Sequence, residues 1–507
     1  MNSFHVELRR GTYRDSVRLL QVSQAVGGLP GVSGAMVAMA TDLNLELLAG
    51  MGFTPPVGAT AGDMVVAIAA SDDGAKAAAL AALEASLAER APTGGGADRP
   101  PPRTIGGAIR EADANLALIS TPGRYAFADA VDALDAGASV LVFSDNMPVA
   151  QEVALKDLAT ARGLLVMGPD CGTAVVGGVG LGFANVVRPG PVGLVAASGT
   201  GAQQVMTLLD AAGSGISHCL GVGGRDLSAA VAGRSTLAAL DALDADPATE
   251  LILVVSKPPS DYVAGLVREQ AAKLSKPVVF GLLGAGRPDL TAVVSSVLDA
   301  LGVAVPTWPR WLAAPDEYGG FAVPASVDLK AGHLRGLFSG GTLCDEAMVI
   351  ASAVLGPILS NIPLEPSWAL GPSLRTEGHA AIDFGDDALT AGRPHPMIDG
   401  TLRRERLAKE AADPSCRVAL MDVVLGHGAH PDPAAELAPA IAEARQVASA
   451  DGRPLDVVIA LVGTVGDPQG LIRQAAALAG VGARVFSSNA EAARDAVGLL
   501  TPAEVTE

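Results

Sequence analysis

Two strand-to-helix turns in this chain are built alike. One reads Val192-Gly-Leu-Val-Ala-Ala-Ser-Gly-Thr-Gly-Ala-Gln-Gln and the other Leu334-Arg-Gly-Leu-Phe-Ser-Gly-Gly-Thr-Leu-Cys-Asp-Glu. A short apolar strand that runs through Ser-Gly-Thr into a helix leaves unpaired N–H groups and a positive dipole end, which together hold an anion. The segment after each turn also repeats. Gly221-Val-Gly-Gly-Arg-Asp-Leu-Ser precedes a helix ending in Asp246-Pro-Ala-Thr-Glu and the strand Leu251-Ile-Leu-Val-Val, while Ile382-Asp-Phe-Gly-Asp-Asp-Ala-Leu-Thr precedes a helix ending in Asp413-Pro-Ser-Cys-Arg and the strand Val418-Ala-Leu-Met-Asp-Val-Val-Leu. A whole α/β domain therefore occurs twice, and such self-similarity constrains the fold far more than one motif does. Taken singly, Gly199 and Gly340 also read as ordinary glycines of tight βα turns. As a pair they place two anion-binding helix ends in one chain.

Composition agrees with that architecture. Of 507 residues, 49% are hydrophobic but only 3% aromatic, so the core is Ala, Val and Leu, as in parallel sheets covered on both faces. A formal net charge of −19 without any Lys/Arg cluster excludes a nucleic-acid binder. The mean hydropathy is +0.37, yet the apolar runs are strand-length and broken by Gly, Pro or Asp, so no membrane span is expected and the excess apolar surface is assigned to subunit interfaces. Met1-Asn-Ser-Phe-His-Val-Glu carries no secretion signal, which makes a cytoplasmic location the expectation. Cys171, Cys219, Cys344 and Cys416 have neither metal-ligand nor redox spacing and read as reduced, mostly buried thiols. A thiolate at Cys344, in the first turn of the second helix, is the competing reading.

Along the chain, short strands and helices alternate from His5 to Arg90 and predict a small α+β module of ferredoxin-like or regulatory type over 1–92. The stretch Ala91-Pro-Thr-Gly-Gly-Gly-Ala-Asp-Arg-Pro-Pro-Pro-Arg is a linker. A βαβ run comes next over 104–190, with strands at 115–120, 139–143 and 164–168. Its strands exit into Ser120-Thr-Pro-Gly-Arg, Phe143-Ser-Asp-Asn-Met-Pro and Met167-Gly-Pro-Asp-Cys-Gly-Thr. Ligands of open α/β sheets lie beyond such carboxyl ends, so these loops form the expected cofactor groove.

The string Asp135-Ala-Gly-Ala-Ser-Val-Leu-Val-Phe-Ser-Asp-Asn-Met-Pro, with Met167-Gly-Pro-Asp-Cys-Gly-Thr and Ala197-Ser-Gly-Thr-Gly, resembles the α subunit of succinyl-CoA synthetase. The segment from Leu334 onward resembles the last domain of that enzyme's β subunit. One chain holding both after a small extra module resembles the FdrA family, and Gly378-His-Ala-Ala-Ile-Asp-Phe-Gly-Asp-Asp-Ala-Leu-Thr-Ala-Gly-Arg-Pro-His-Pro-Met-Ile-Asp is the most specific signature. The resemblance implies an α/β protein: a CoA-binding Rossmann-type domain over 104–190 and two flavodoxin-like ligase domains over 191–326 and 333–507, behind the N-terminal α+β module. It implies that coenzyme A, if bound, meets Thr121, Pro122, Gly123, Arg124, Ser144, Asn146, Pro148, Gly168, Pro169 and Asp170. It implies that Ser198, Gly199 and Thr200 at one helix end, and Ser339, Gly340 and Gly341 at the other, face a phosphate or acyl phosphate.

The pattern breaks at one place. The relay histidine of succinyl-CoA synthetase belongs to a Gly-His-Ala-Gly loop, but the strand Lys276-Pro-Val-Val-Phe-Gly-Leu-Leu continues here as Gly284-Ala-Gly-Arg-Pro-Asp-Leu. No segment resembles the ATP-grasp domain either, so a nucleotide site is expected only on a partner. His379 and His395 are the candidate substitutes, with loop residues bonded to backbone as the alternative. Asp383, Asp386 and Asp387 read as loop and capping carboxylates before metal ligands, and His427 and His430 are weak as a zinc pair; no metal is expected. The FdrA resemblance further implies a subunit of oxamate carbamoyltransferase, which converts oxalurate and phosphate to oxamate and carbamoyl phosphate in allantoin breakdown. An acyl-CoA synthetase working with a nucleotide-binding partner and a non-catalytic CoA-binding scaffold are the alternatives. Partners are expected among further copies of the chain or subunits encoded beside it.

Overall fold

The computed structural model describes residues 3–12, 14, 16–88, 102–312, 332–390 and 394–501. Most of the 91–103 linker lies outside them. The chain divides into two compact units, one of residues 1–101 and one carrying 102–390 and 395–507.

In the first unit the strands Ser3–Arg9, Val32–Met39 and Met64–Ala70 form an antiparallel sheet with Met64–Ala70 in the middle. That order reflects composition. Met-Val-Val-Ala-Ile-Ala-Ala is apolar at every position and buried at every position, which only a central strand covered on both faces allows. Helices Ser16–Gly27 and Asp73–Ala88 bring Leu19, Val22, Val26, Leu83 and Ala79 onto one face.

The second unit is a mixed α/β body with three sheets. Leu116–Ile119, Ser139–Val142 and Val166–Met167 are parallel neighbours, covered by helices Gly123–Asp135 and Val149–Ala161. Next comes a sheet built on Pro189–Ala197, flanked on one side by Ile216–Gly221 and on the other by Leu251–Ser256 and then Val278–Leu282. The hairpin Thr173–Val176 and Val179–Gly182 extends the edge of this sheet. The third sheet repeats the plan: His333–Phe338 stands between Ala380–Asp383 and Cys416–Val424, with Asp456–Val462 and Arg484–Phe486 beyond the latter. In both repeats the first strand is central and its neighbours are parallel, the flavodoxin-like order.

The repeats share a core. Leu194, Val205, Leu209 and Leu253 from one half pack in the same apolar cluster as Leu334, Phe338, Leu343 and Leu420 from the other. Their polar contacts are related by a pseudo-two-fold axis. Gln204 Oε1 accepts the N–H of Asn489 at 2.9 Å, at the start of the last helix of the second half. At the matching position of the other turn, Glu346 Oε1 accepts the N–H of Leu290 at 2.6 Å, at the start of the last helix of the first half.

The CoA-binding-like domain is tied to the first repeat by a buried ion cluster. Lys156 Nζ lies 2.8 Å from Glu152 and 2.7 Å from Asp226. Asp226 in turn accepts the first amides of the helix Arg234–Ala245, those of Ser235 and Thr236.

Candidate functional site: two helix ends in contact

Each glycine-bearing turn ends a buried central strand, so both helix starts are delivered to the carboxyl edges of their sheets. Helix Gly199–Ala211 is capped by Ser198, whose hydroxyl accepts the N–H of Gly201 at 3.0 Å. Helix Gly341–Leu355 begins after Gly340, which has extended backbone. The two starts touch. Ser198 Oγ donates to Thr342 Oγ1 at 2.6 Å, and a Cβ built on Gly340 would fall 2.4 Å from Thr200 Oγ1. These two contacts exchange under the pseudo-two-fold, since Ser198 matches Gly340 and Thr200 matches Thr342. Ser198, Gly199, Thr200, Ser339, Gly340 and Gly341 are thus brought together.

The second end differs from the sequence expectation in one respect. Its leading amides face a carboxylate of the chain itself: Asp422 accepts from Ser339 N–H at 2.7 Å, Ser339 Oγ at 2.9 Å and Gly340 N–H at 3.0 Å. Burial pushes the Asp422 carboxyl up, and Arg403, 3.1 Å away, opposes that push. Three donors and a guanidinium around one carboxylate favour its ionised form. The amides of Gly341 and Thr342 then remain for an outside anion, beside those of Gly199 and Thr200.

Lys257, which sequence reasoning missed, leaves the strand Leu251–Ser256 next to this junction. Its Nζ is 3.2 Å from Asp345, and the side chain is 41% exposed, so it is charged and reachable from solvent. Burial works against its charge, but Asp345 and Asp383 outweigh this and raise its pKa. Strand Leu251–Ser256 pairs with Val278–Leu282, and Gly284 at that strand's exit lies against Pro258. The loop without a relay histidine is therefore the neighbour of Lys257. Lys257 and Asp383 both reach the point where a side chain on Gly341 would begin, at 2.9 and 2.7 Å.

The histidines separate. His395 is half-buried with its ring walled in by protein, and it is pushed down to about 4, by desolvation first and then by Arg403, so it is neutral. Its Nδ1 accepts the Met397 N–H at 3.2 Å, which leaves the proton on Nε2, close to Gly385 and Ser339. Phe183 packs on its ring. His379 lies at the opposite, amino end of the strand Ala380–Asp383. It accepts the Leu334 N–H at 3.0 Å, stacks edge-on against His333 and is lowered to about 4, chiefly by burial. His379 does not join the helix ends. His427 and His430 do not converge either: His430 faces Glu436 at 3.4 Å, while the His427 backbone pairs with Ala184. Cys344 is fully buried and its thiol is raised well above 9, by desolvation first, so it packs as a small apolar group. Behind Ser339 runs a narrow cleft of about 40 Å³, bordered by Arg403, Arg404, Met397 and His430.

The three loops of the CoA-binding-like domain also meet. Ser144 Oγ donates to Thr121 O at 2.5 Å, and Asp170 N–H to Ser144 O at 3.0 Å. Pro122 precedes helix Gly123–Asp135 and Pro148 precedes helix Val149–Ala161. Gly123 lies so near the second loop that a Cβ would meet Asp145 O at 2.0 Å; at Gly168 it would meet Val142 O at 2.3 Å. Asn146 and Asp170 take positive φ, 57° and 59°. Arg124 lies over the Tyr125 ring at 4.8 Å. Asp170 is exposed, yet the protein crowded around its carboxyl first, then Asp387 and Asp145, push it up to about 7. Pro169 completes the loop beside Gly223.

Among the described residues, no group of three or more His, Cys, Asp or Glu is placed to hold a metal ion, and no helix is long and apolar enough to cross a membrane.

Residues 1–101 match a family described as AllF, heavy metal-associated domain, and residues 337–499 one described as CoA-ligase. The chain is 38% identical over 506 residues to the uncharacterized protein YahF of Escherichia coli K12, covering 96% of each. It is 30% identical over 189 residues to the succinate–CoA ligase [ADP-forming] subunit alpha 2 of Archaeoglobus fulgidus, which spans 36% of this chain and 63% of that subunit. Among solved structures, ATP citrate lyase from Methanothrix soehngenii in complex with citrate and coenzyme A aligns over 39% of this chain and 37% of that one, at 19% identity and a TM-score of 0.31.

Proposed function

This chain belongs to the FdrA family, with a CoA-ligase-type body, and from that premise we propose that it is an acyl-transfer subunit in which the two helix ends hold a phosphate or acyl phosphate. The observation that carries the reading is the 2.6 Å contact between Ser198 and Thr342, which focuses two positive helix ends on one point. Lys257, paired with Asp345, adds a positive charge there. Donors preorganised around one anion stabilise the charge that develops on a transferred group.

The specific reaction proposed is oxamate carbamoyltransfer, from oxalurate and phosphate to oxamate and carbamoyl phosphate. It needs neither a phosphohistidine nor ATP, and the Gly284-Ala-Gly-Arg loop supplies no such histidine. Coenzyme A is proposed to bind at Thr121–Arg124, Ser144–Pro148 and Gly168–Asp170, on the strength of the CoA-ligase relatives. The second reading, an acyl-CoA synthetase whose partner binds the nucleotide, is favoured by the likeness to the succinate–CoA ligase subunit. The chain is proposed to work in a complex with separately encoded subunits.

The test is carbamoyl phosphate formation by the complex purified from native cells, from oxalurate and phosphate without ATP. Turnover under those conditions supports the transferase. Turnover only with CoA and a nucleoside triphosphate supports the ligase.

A further inference from the structure

We propose that Asp383 is the proton donor to the leaving nitrogen of the acyl donor, an inference that rests on the transferase reading above. Asp383 closes the strand Ala380–Asp383 and is 5% exposed. Its main chain is clamped by Asn361, whose Oδ1 accepts the Asp383 N–H and whose Nδ2 donates to the Asp383 carbonyl, both at 2.9 Å. Oδ1 accepts the Gly385 N–H at 2.9 Å. Oδ2 accepts no hydrogen bond among the described residues and is directed at Gly341, the first residue of the second helix. A carboxyl so fixed presents one free oxygen to the junction of the helix ends.

The chemistry requires a group of this kind. A phosphate oxygen bonds to the carbamoyl carbon, the carbon–nitrogen bond breaks, and the nitrogen leaves as an amide anion unless it is protonated. Asp383 supplies that proton, and the phosphate hydroxyl returns one to the carboxylate, so the enzyme ends as it began. Facing Asp383 are Lys257, which also pairs with Asp345, together with Asp422 and its Arg403, Asp386 and the neutral His395. Burial first, with Asp422 and Asp386 adding to it and Lys257 opposing, pushes the carboxyl up to about 7, where it can hold a proton at neutral pH. A phosphate dianion beside it favours the protonated form further.

The experiment uses the whole complex with oxalurate and phosphate, measuring kcat/KM against pH. The wild type is expected to lose rate on the alkaline side as Asp383 ionises. Asp383→Asn is expected to fall by about 10²–10⁴ and to lack that alkaline limb. Retained turnover, or a variant that is slow but keeps the same limb, overturns the assignment, since a structural role changes the level and not the profile. Lys257→Met gives a reading even if Asp383→Asn does not fold: removing the cation must move the limb to higher pH, and a limb that stays or moves down refutes the proposal. A wild-type complex that makes no carbamoyl phosphate would instead sink the transferase reading itself.

Discussion

Gly340→Ala is the sharpest perturbation of the helix junction. The new Cβ would lie 2.4 Å from Thr200 Oγ1, 2.6 Å from its Cγ2 and 2.7 Å from its Cβ. Carbon atoms in contact sit about 3.5–4.0 Å apart, so about 1 Å must be found. Rotation does not find it, because two of the three contacts are to branches of a β-branched side chain in a helical first turn and the third is to Cβ itself. Backbone strain plays no part, since Gly340 has φ −124° and ψ 117°, which alanine adopts freely. The helix ends must therefore separate. Overpacking of this kind costs about 1–3 kcal/mol of stability, and a misplacement of about 1 Å in positioning groups costs about 100-fold in rate. Thermal unfolding reads the first and carbamoyl phosphate formation by the complex reads the second. Thr200→Gly removes all three offending atoms, so the double variant should regain most turnover, and stability apart from about 1 kcal/mol for a glycine in a helix. Wild-type turnover in Gly340→Ala alone would refute the idea that both ends act on one anion.

Other contacts set three more expectations. Lys156→Met leaves Asp226 buried without its cation and Glu152 with Arg225 alone, and should destabilise the second unit by about 3–5 kcal/mol in chemical denaturation. Gly123→Ala drives a Cβ into the Asp145 carbonyl and parts the first two loops of the CoA-binding-like domain; calorimetry should show CoA affinity falling about tenfold or more, and unchanged heat would remove those loops from the site. The Asp383 carboxyl sits at about 7 when folded against its ordinary 3.8, so across that interval the folded chain holds a proton the unfolded chain has released, and stability falls as pH rises. Asp383→Asn should therefore gain in melting temperature relative to the wild type between about pH 4 and 7, and a difference that stays constant across that window would contradict the shift.

The parts of the fold and site that are legible in the sequence are the local ones. Apolar strands bounded by Gly, Asp-Pro and Ser-Gly-Thr carry their own signals, which is why the repeated α/β unit, the three strand exits and the alternating strands and helices of the first unit can be read directly. Lys257 cannot, because nothing near it in Ser256-Lys-Pro-Pro marks a site; its partners Asp345 and Asp383 come from the other repeat and meet it only through folding. Asp422 is hidden for a related reason. It lies within the buried strand Cys416–Val424, where a lone acidic residue gives no periodic signal, and its role emerges only when the adjacent strand brings Ser339 and Gly340 to it. The Asp383 carboxylate is visible in the sequence but reads there as a capping or loop group: its neighbour Asp386 does cap Ala388, whereas Asp383 is drawn inward by Asn361.

The position of these hidden residues has a chemical consequence. Symmetry between the repeats accounts for the meeting of the helix ends, since Ser198 on Thr342 and Gly340 on Thr200 are the same contact made twice. Charge does not obey that symmetry. Gln203 and Gln204 in the first turn stand where the second has Asp345 and Glu346, and the strand pairing that sets Ala196 beside Val255 in one half carries on, one residue past Leu337 and Met421, to Phe338 and Asp422 in the other. The carboxylates thus come from the second repeat while the lysine comes from the first. A symmetric site would present the same groups to both ends of a bound acyl donor and could not distinguish attacking oxygen from leaving nitrogen. Lys257 and Asp383, contributed by different halves, converge at Gly341, so the junction holds one group that attracts the phosphate and a different one that can protonate what departs. An exchange that makes the halves alike, Asp345→Gln, would remove the ion pair that holds Lys257, and should raise KM for phosphate more than it lowers kcat; a fall in kcat at unchanged KM would place Asp345 elsewhere in the mechanism.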